Sequence, residues 1–232
     1  MERHCTEALT GWRAGFSPAT SPKFPGIIRI VLRVGLTGGL ACGKSFVGEA
    51  LAQLGCHLLQ ADRLGHEVLL AGGEAYAPVV REFGSGVLGA DGEIDRRALA
   101  AQAFEKPERL ALLNSFVHPP VQRLEEEWLA RVAAEDPRGI AVVEAAILIE
   151  TGSYRGFDKL IVVACDEELQ VQRSIKRDGA SREEVLARLS HQMPLAEKRK
   201  FADFIIDTSG TKDETLRQTR EVYESLRRMK QQ

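Results

Sequence analysis

Gly38-Gly39-Leu40-Ala41-Cys42-Gly43-Lys44-Ser45 is the stretch on which the reading of the whole chain turns. It fits G-x-x-x-x-G-K-[ST] at every fixed position. Glycines admit left-handed backbone angles and leave room for an anion against the main chain. The backbone N–H groups then converge on that anion, and the helix that follows adds the positive end of its dipole. Lys44 supplies a mobile charge for the β- and γ-phosphates, and Ser45 a hydroxyl for Mg²⁺. The flanks agree. Residues 29–36 (RIVLRVGL) are rich in β-branched side chains and predict a strand running into the loop. Residues 44–54 carry Phe46, Val47, Ala50, Leu51 and Leu54 at helical spacing and predict a helix running out of it. This pattern predicts nucleoside triphosphate binding by Gly38 to Ser45. It does not separate a kinase from a GTPase or a motor.

Working outward, residues 56–60 (CHLLQ), 140–143 (IAVV), 159–164 (KLIVVA) and 204–207 (FIID) are further short apolar strands. Helices are expected over 166–177 with Asp166 as N-cap, over 180–193 with a Ser181–Glu184 capping box, and over 211–229. Strands alternating with helices imply a parallel sheet covered on both faces. Between the second and third strands, residues 62–136 read as a helical insertion, its segments divided by Gly72-Gly73, Gly84-Ser85-Gly86, Asp91-Gly92, Pro107 and Pro119-Pro120.

Composition narrows the class. The 232 residues suffice for one sizeable core with an inserted subdomain. With 31 Lys and Arg against 33 Asp and Glu, the net charge of −2 argues against a general nucleic-acid binder, which needs surplus cations. No apolar run reaches membrane-spanning length, and residues 1–28 read as a loose tail rather than a secretory signal. The cysteines, Cys5, Cys42, Cys56 and Cys165, have neither metal-ligand spacing nor the look of a disulfide framework. A reducing, cytoplasmic setting is expected. Cys42, in an electropositive loop, is the thiol expected to have a lowered pKa.

Four further features bear on chemistry. Asp62 directly follows the second strand, where ligands of a doubly wound sheet collect. There a carboxylate accepts a hydroxyl proton or helps hold Mg²⁺, or it merely caps its helix. Glu144 ends the third strand beside the loop and is either a Mg²⁺ residue or a polar strand terminus. The stretch 173–200 is locally basic, with Arg173, Lys176, Arg177, Arg182, Arg188, Lys198, Arg199 and Lys200. It reads as a hinged lid closing on phosphates, or as a solvated helix face. His118, alone before Pro119, reads as a capping or packing residue.

Together these residues resemble the dephospho-CoA kinase family, from about residue 33 to about residue 226. The likeness is carried by GLTGGLACGKS (35–45), QADRLGHEVL (60–69), FGSGVLGADGEIDRRALA (83–100), HPPV (118–121), AAILIETG (145–152), KRDGAS (176–181) and HQMPLAEKRKFADFIIDTSG (191–210). The resemblance implies a three-layer α/β P-loop NTPase fold, with a five-stranded parallel sheet of order 2-3-1-4-5. The kinase domain would span 29–232, with a helical CoA-binding insertion over about 62–136 and a short lid over about 173–199. It implies transfer of the γ-phosphoryl of ATP, with Mg²⁺, to the ribose 3′-hydroxyl of dephospho-CoA. The phosphate tail would lie on Gly38, Gly39, Ala41, Cys42, Gly43, Lys44, Ser45 and Phe46, with Ser45 and Glu144 at the metal. Asp62 would be the base, with Lys44, Arg173 and Arg177 also catalytic, and Asp62, His66 and His118 would meet the acceptor. No nucleic-acid or membrane partner is implied, and the chain would be a monomer or small homo-oligomer. Ala41, Cys42 and Phe46 stand where the family loop usually has Gly, Ser and Thr. The rival readings are another P-loop kinase for a nucleoside or small alcohol, and an ATP-binding regulatory module.

Overall fold

The computed structural model describes residues 31–190 and 192–230, so the tail expected over 1–28 lies outside the described residues. In chain order the elements are β1 (Leu32–Gly38), α1 (Lys44–Gln53), β2 (His57–Gln60), α2 (Ala61–Glu67), α3 (Tyr76–Phe83), α4 (Arg96–Ala103), α5 (Pro107–Glu135), β3 (Ile140–Glu144), β4 (Lys159–Ala164), α6 (Glu167–Asp178), α7 (Arg182–Ser190), α8 (Leu195–Arg199), β5 (Phe204–Asp207) and α9 (Lys212–Met229). The five strands form one parallel sheet in the order β2-β3-β1-β4-β5.

Apolar side chains occupy consecutive positions in the central strands rather than alternate ones. The last five residues of β1, all five of β3 and the last five of β4 are buried. Such a strand is stable only with both faces covered, which sets the sheet between helices. One face presents Val34, Leu36, Val142, Ile161, Val163 and Ile206 to Val47 and Leu51 of α1 and to Val222 and Leu226 of α9. On the other face Gly35 leaves its space to Leu148 and Phe157.

The chain divides into two compact units. Among the described residues one holds 31–60 and 128–230 and contains the sheet; the other holds 61–127. The helical unit has its own core, in which Val68, Val79, Phe83, Val87, Ile94 and Leu99 are buried. Asp95 caps α4, its carboxylate accepting from the N–H groups of Arg97 (2.8 Å) and Ala98 (3.3 Å). The G-x-I-D-R-x-x-L pattern over 92–99 is therefore explained in part by folding: Ile94 and Leu99 pack while Asp95 starts the helix.

Several element boundaries differ from the sequence expectation. β1 extends to Gly38, because Thr37 and Gly38 pair with Val162 and Val163 of β4. Pro119-Pro120 does not divide two helices; both prolines lie inside α5. Each removes one backbone donor, but Phe116, Val117, Val121 and Leu124 pack on the helical unit's core across the pair. Packing of that face overrides the local penalty. Asp166 sits at the N-cap of α6 without a side-chain cap. The Ser181–Glu184 box does form, with Glu184 N–H to Ser181 Oγ at 3.2 Å and Ser181 N–H to Glu184 Oε2 at 2.8 Å. Its helix ends at Ser190, and a separate short helix, α8, starts after Pro194. Among the described residues no helix is long and apolar enough to cross a membrane.

Candidate active site

β1 delivers the glycine loop from the centre of the sheet, held between β3 and β4. A side chain at Gly38 would stand 2.2 Å from the Val163 carbonyl oxygen, so the loop leaves the sheet where only glycine fits. Gly43, at φ 81°, is the N-cap of α1 in the left-handed region. Ala41 is also left-handed, at φ 53°, which costs an alanine about 1–2 kcal/mol. The glycine usual at this point of the family loop would relieve that strain. α1 has no side-chain cap and no acidic residue in its first turn. Its first N–H groups and its dipole therefore favour an anion at the loop. Lys44 Nζ donates to the Gly39 carbonyl at 3.0 Å, folded back along its own loop. The Lys212 ammonium lies 5.8 Å from the ring centre of Phe46.

Glu144, at the end of β3 and 6% exposed, is the carboxylate that sheet register brings beside the loop. Leu36 of β1 is its register partner. Its Oε1 accepts from Ser45 Oγ at 2.7 Å and its Oε2 from Gln60 Nε2 at 3.2 Å. Both donors are neutral groups. A hydroxyl and a carboxylate oxygen this close make a hard donor pair suited to Mg²⁺ or its water shell.

The stretch expected to be a basic lid is largely paired. Arg177 grips Asp178 beside it with Nε at 2.7 Å and Nη2 at 3.0 Å, and Arg188 reaches the same carboxylate at 3.0 Å. Arg182 is bidentate on Glu168. Lys198 departs furthest from expectation. It is fully buried, with Nζ 2.8 Å from Glu150 Oε1, 2.9 Å from the Ala146 carbonyl oxygen and 3.4 Å from that of Gly38. Glu150 Oε1 also accepts from Met193 N–H at 3.1 Å, and its Oε2 is buried with no hydrogen-bond partner among the described residues. Sequence reading missed this pair because a lysine between Glu197 and Arg199 has the pattern of a solvated face.

Arg173 does belong to the loop's surroundings. It donates to Thr208 Oγ1 at 3.1 Å and to the Thr208 carbonyl at 2.8 Å. Thr208 Oγ1 in turn donates to the Cys42 carbonyl at 2.8 Å. This chain ties α6, the end of β5 and the phosphate loop together. Cys42 does not have the expected lowered pKa. It is 0% exposed, with its sulfur 3.4 Å from that of Cys165. The hydrogen bond between the two thiols, with burial adding to it, holds the Cys42 thiol well above its ordinary value. Lys44 pulls the other way and is outweighed.

Asp62, His66 and His118 lie in the helical unit. Asp62 is in the first turn of α2, which follows β2 with no intervening residue, so the chain itself sets it two residues after Gln60. Burial holds His66 and His118 below the ordinary histidine range; at His66 the Arg96 charge adds to this, and Asp62 opposes it. Both rings are therefore neutral at physiological pH. The unfolded His118 binds protons more readily than the folded one, so its stabilising effect is present above about pH 6.5 and declines as pH falls below that. We expect thermal midpoints to fall between pH 7.5 and 5.5, by a slope of at most about 1.4 kcal/mol per pH unit for this residue, and His118→Gln to flatten that slope.

Comparison with known proteins joins these parts. The family model for dephospho-CoA kinase matches residues 32–214. A dephospho-CoA kinase of Aquifex aeolicus is 41% identical over 196 residues, covering 84% of this chain and 98% of that one. A dephospho-CoA kinase domain-containing protein of Danio rerio is 38% identical, covering 83% and 84%. Among solved structures, a Thermus thermophilus protein is 36% identical with a TM-score of 0.74, covering 84% of this chain and 97% of its own. The dephospho-CoA kinase of Campylobacter jejuni is 28% identical with a TM-score of 0.64, covering 85% and 98%. The matched residues take in the glycine loop, the helical unit and the buried Lys198, and the chain belongs to the dephospho-CoA kinase family.

Proposed function

We propose that this protein phosphorylates the ribose 3′-hydroxyl of dephospho-CoA at the expense of ATP, giving coenzyme A and ADP in the cytoplasm. The observation that carries this reading is the family match over residues 32–214, which includes the helical unit as well as the phosphate loop. A likeness confined to the loop would support ATP binding and nothing more.

The loop residues Gly38, Gly39 and Ala41 to Phe46 hold the phosphate tail, and Lys44 exchanges the Gly39 carbonyl for phosphate oxygens. Ser45 and Glu144 would hold Mg²⁺, and the chemistry it would supply there is charge neutralisation. Asp62 orients the acceptor hydroxyl and takes its proton as the oxygen attacks in line; the leaving oxygen stays on ADP. Arg173 is held ready by Thr208 beside the loop. Arg177 joins it by leaving Asp178 when the segment over 173–199 closes, an exchange of one charged partner for another. His66 and His118, neutral, contact the acceptor in the helical unit, which spans 61–127 within the insertion expected over 62–136.

ADP release measured with and without dephospho-CoA tests the reading directly. Acceptor-dependent release is expected. Release with a nucleoside or small alcohol and none with dephospho-CoA would favour another kinase, and ATP binding without acceptor-dependent release would favour a regulatory module. In the same assay Lys44→Ala loses charge stabilisation worth about 2–4 kcal/mol, or about 30- to 1,000-fold in kcat/KM. Unchanged turnover in that variant would remove Lys44 from the mechanism.

A further inference from the structure

We propose that Cys42 and Cys165 form a peroxide-oxidisable dithiol, and that its closure to a disulfide shuts the phosphate loop. The two sulfurs are 3.4 Å apart, although 123 residues separate them in sequence. One lies in the glycine loop; the other follows the last residue of β4. Neither is used by the phosphoryl-transfer chemistry as a nucleophile, and both are free thiols.

The surroundings hold the pair in place. A side chain at Gly39 would meet Cys42 Sγ at 2.9 Å and Gln170 Oε1 at 2.4 Å, so the Cys42 sulfur is tucked under the loop's own backbone. Gln170 Nε2 donates to the Cys165 carbonyl at 3.4 Å, and Thr208 Oγ1 donates to the Cys42 carbonyl at 2.8 Å. Rotamer freedom is thus small on both sides, and the sulfurs stay in reach of each other. Both residues are buried, Cys42 at 0% and Cys165 at 4% exposure. The hydrogen bond with Cys42 and the nearby Arg173 guanidinium lower the Cys165 pKa, which makes Cys165 the nucleophilic end of the pair.

The chemistry balances with a hydroperoxide as oxidant. The Cys165 thiolate attacks one peroxide oxygen, the O–O bond breaks, and Cys165 becomes a sulfenic acid as hydroxide or alkoxide leaves. The Cys42 sulfur then attacks Cys165 Sγ; the S–S bond forms, the S–O bond breaks, and the departing hydroxide takes the Cys42 proton as water. Two thiols have lost two electrons and the peroxide has gained them. A covalent S–S bond is much shorter than the present contact, so closure draws the two sulfurs together by more than about 1 Å. The strained Ala41 precedes Cys42, and Gly43, Lys44 and Ser45 follow it, so any shift of Cys42 moves the anion cradle. Misplacing reacting groups by about 1 Å costs about 100-fold in rate, which sets the scale of the effect expected if the cradle follows Cys42.

The effect on turnover rests on the function proposed above; formation of the link does not. The reduced full-length protein, free of nucleotide, is treated with hydrogen peroxide. It is then followed by peptide mass mapping after alkylation, by binding of a fluorescent ATP analogue, and by ADP release with dephospho-CoA. We expect a Cys42–Cys165 linked peptide, loss of about 100-fold in ADP release with matching loss of analogue binding, and recovery of both with dithiothreitol. Cys165→Ser should keep its untreated activity and lose the reversible inactivation. Absence of the linked peptide overturns the dithiol. A linked peptide with analogue binding unchanged overturns the closure of the loop, as does equal reversible inactivation of Cys165→Ser. If untreated protein binds the analogue but releases no ADP with dephospho-CoA, the proposed acceptor fails, while the peptide and binding measurements still decide the dithiol.

Discussion

Replacing Asp62 with asparagine leaves ATP binding intact and lowers kcat by about 10²- to 10⁴-fold, the range for losing a positioned general base. Asparagine is the informative choice. It keeps the size of the side chain and an acceptor oxygen near the start of α2, so a role limited to helix capping survives the change. What it cannot do is take a proton from the acceptor hydroxyl. Single-turnover rates with saturating Mg²⁺-ATP and dephospho-CoA, set beside an equilibrium titration of ATP, separate the two. A collapse of ATP affinity with the chemical rate preserved would assign Asp62 to metal binding or to structure. Unchanged kinetics would remove it from the site altogether.

Lys198→Met lowers stability by about 3–5 kcal/mol, because it leaves the Glu150 carboxylate buried, 4% exposed, without its cation. For a domain of this size that is a fall in Tm of about 6–20 °C. Adding Glu150→Gln to Lys198→Met removes the stranded charge and restores most of the loss, since a buried pair as a whole adds little once desolvation is counted. Calorimetry on the single and double variants reads this directly. Equal midpoints for Lys198→Met and wild type would show that the pair is not effectively desolvated. The double variant also isolates the geometric role of the ammonium, which joins the Gly38 and Ala146 carbonyls. These oxygens lie at the entrance to the glycine loop and just beyond Glu144, so the loss of their shared donor should raise KM for ATP even where stability recovers.

The glycine loop was legible because its chemistry is local: Gly43, Lys44 and Ser45 act through their own backbone and the helix they begin. The strands were legible because β1, β3 and β4 are covered on both faces and so read as short stretches rich in apolar and β-branched residues. The Ser181–Glu184 box was legible for the same reason of short range. Pro119-Pro120 misled because its penalty is local, whereas the packing that overrides it, through Phe116, Val121 and Leu124, is not. Cys42 misled because charge nearby in sequence was weighed while a partner 123 residues away was not visible.

The sequence by itself determined the phosphate loop, the alternation of strands and helices, and the family whose motifs it carries. Those are properties of short segments, set by backbone freedom, periodicity and the fixed spacing of a few polar groups. Only the tertiary structure decided that Lys198 is a buried cation paired with Glu150, that Glu144 takes the Ser45 hydroxyl, and that two cysteine sulfurs meet under the loop. Each of these depends on which distant segment supplies the partner. A buried charge or thiol takes its properties from the groups that replace its water, and those groups are set by sheet order rather than by sequence neighbours.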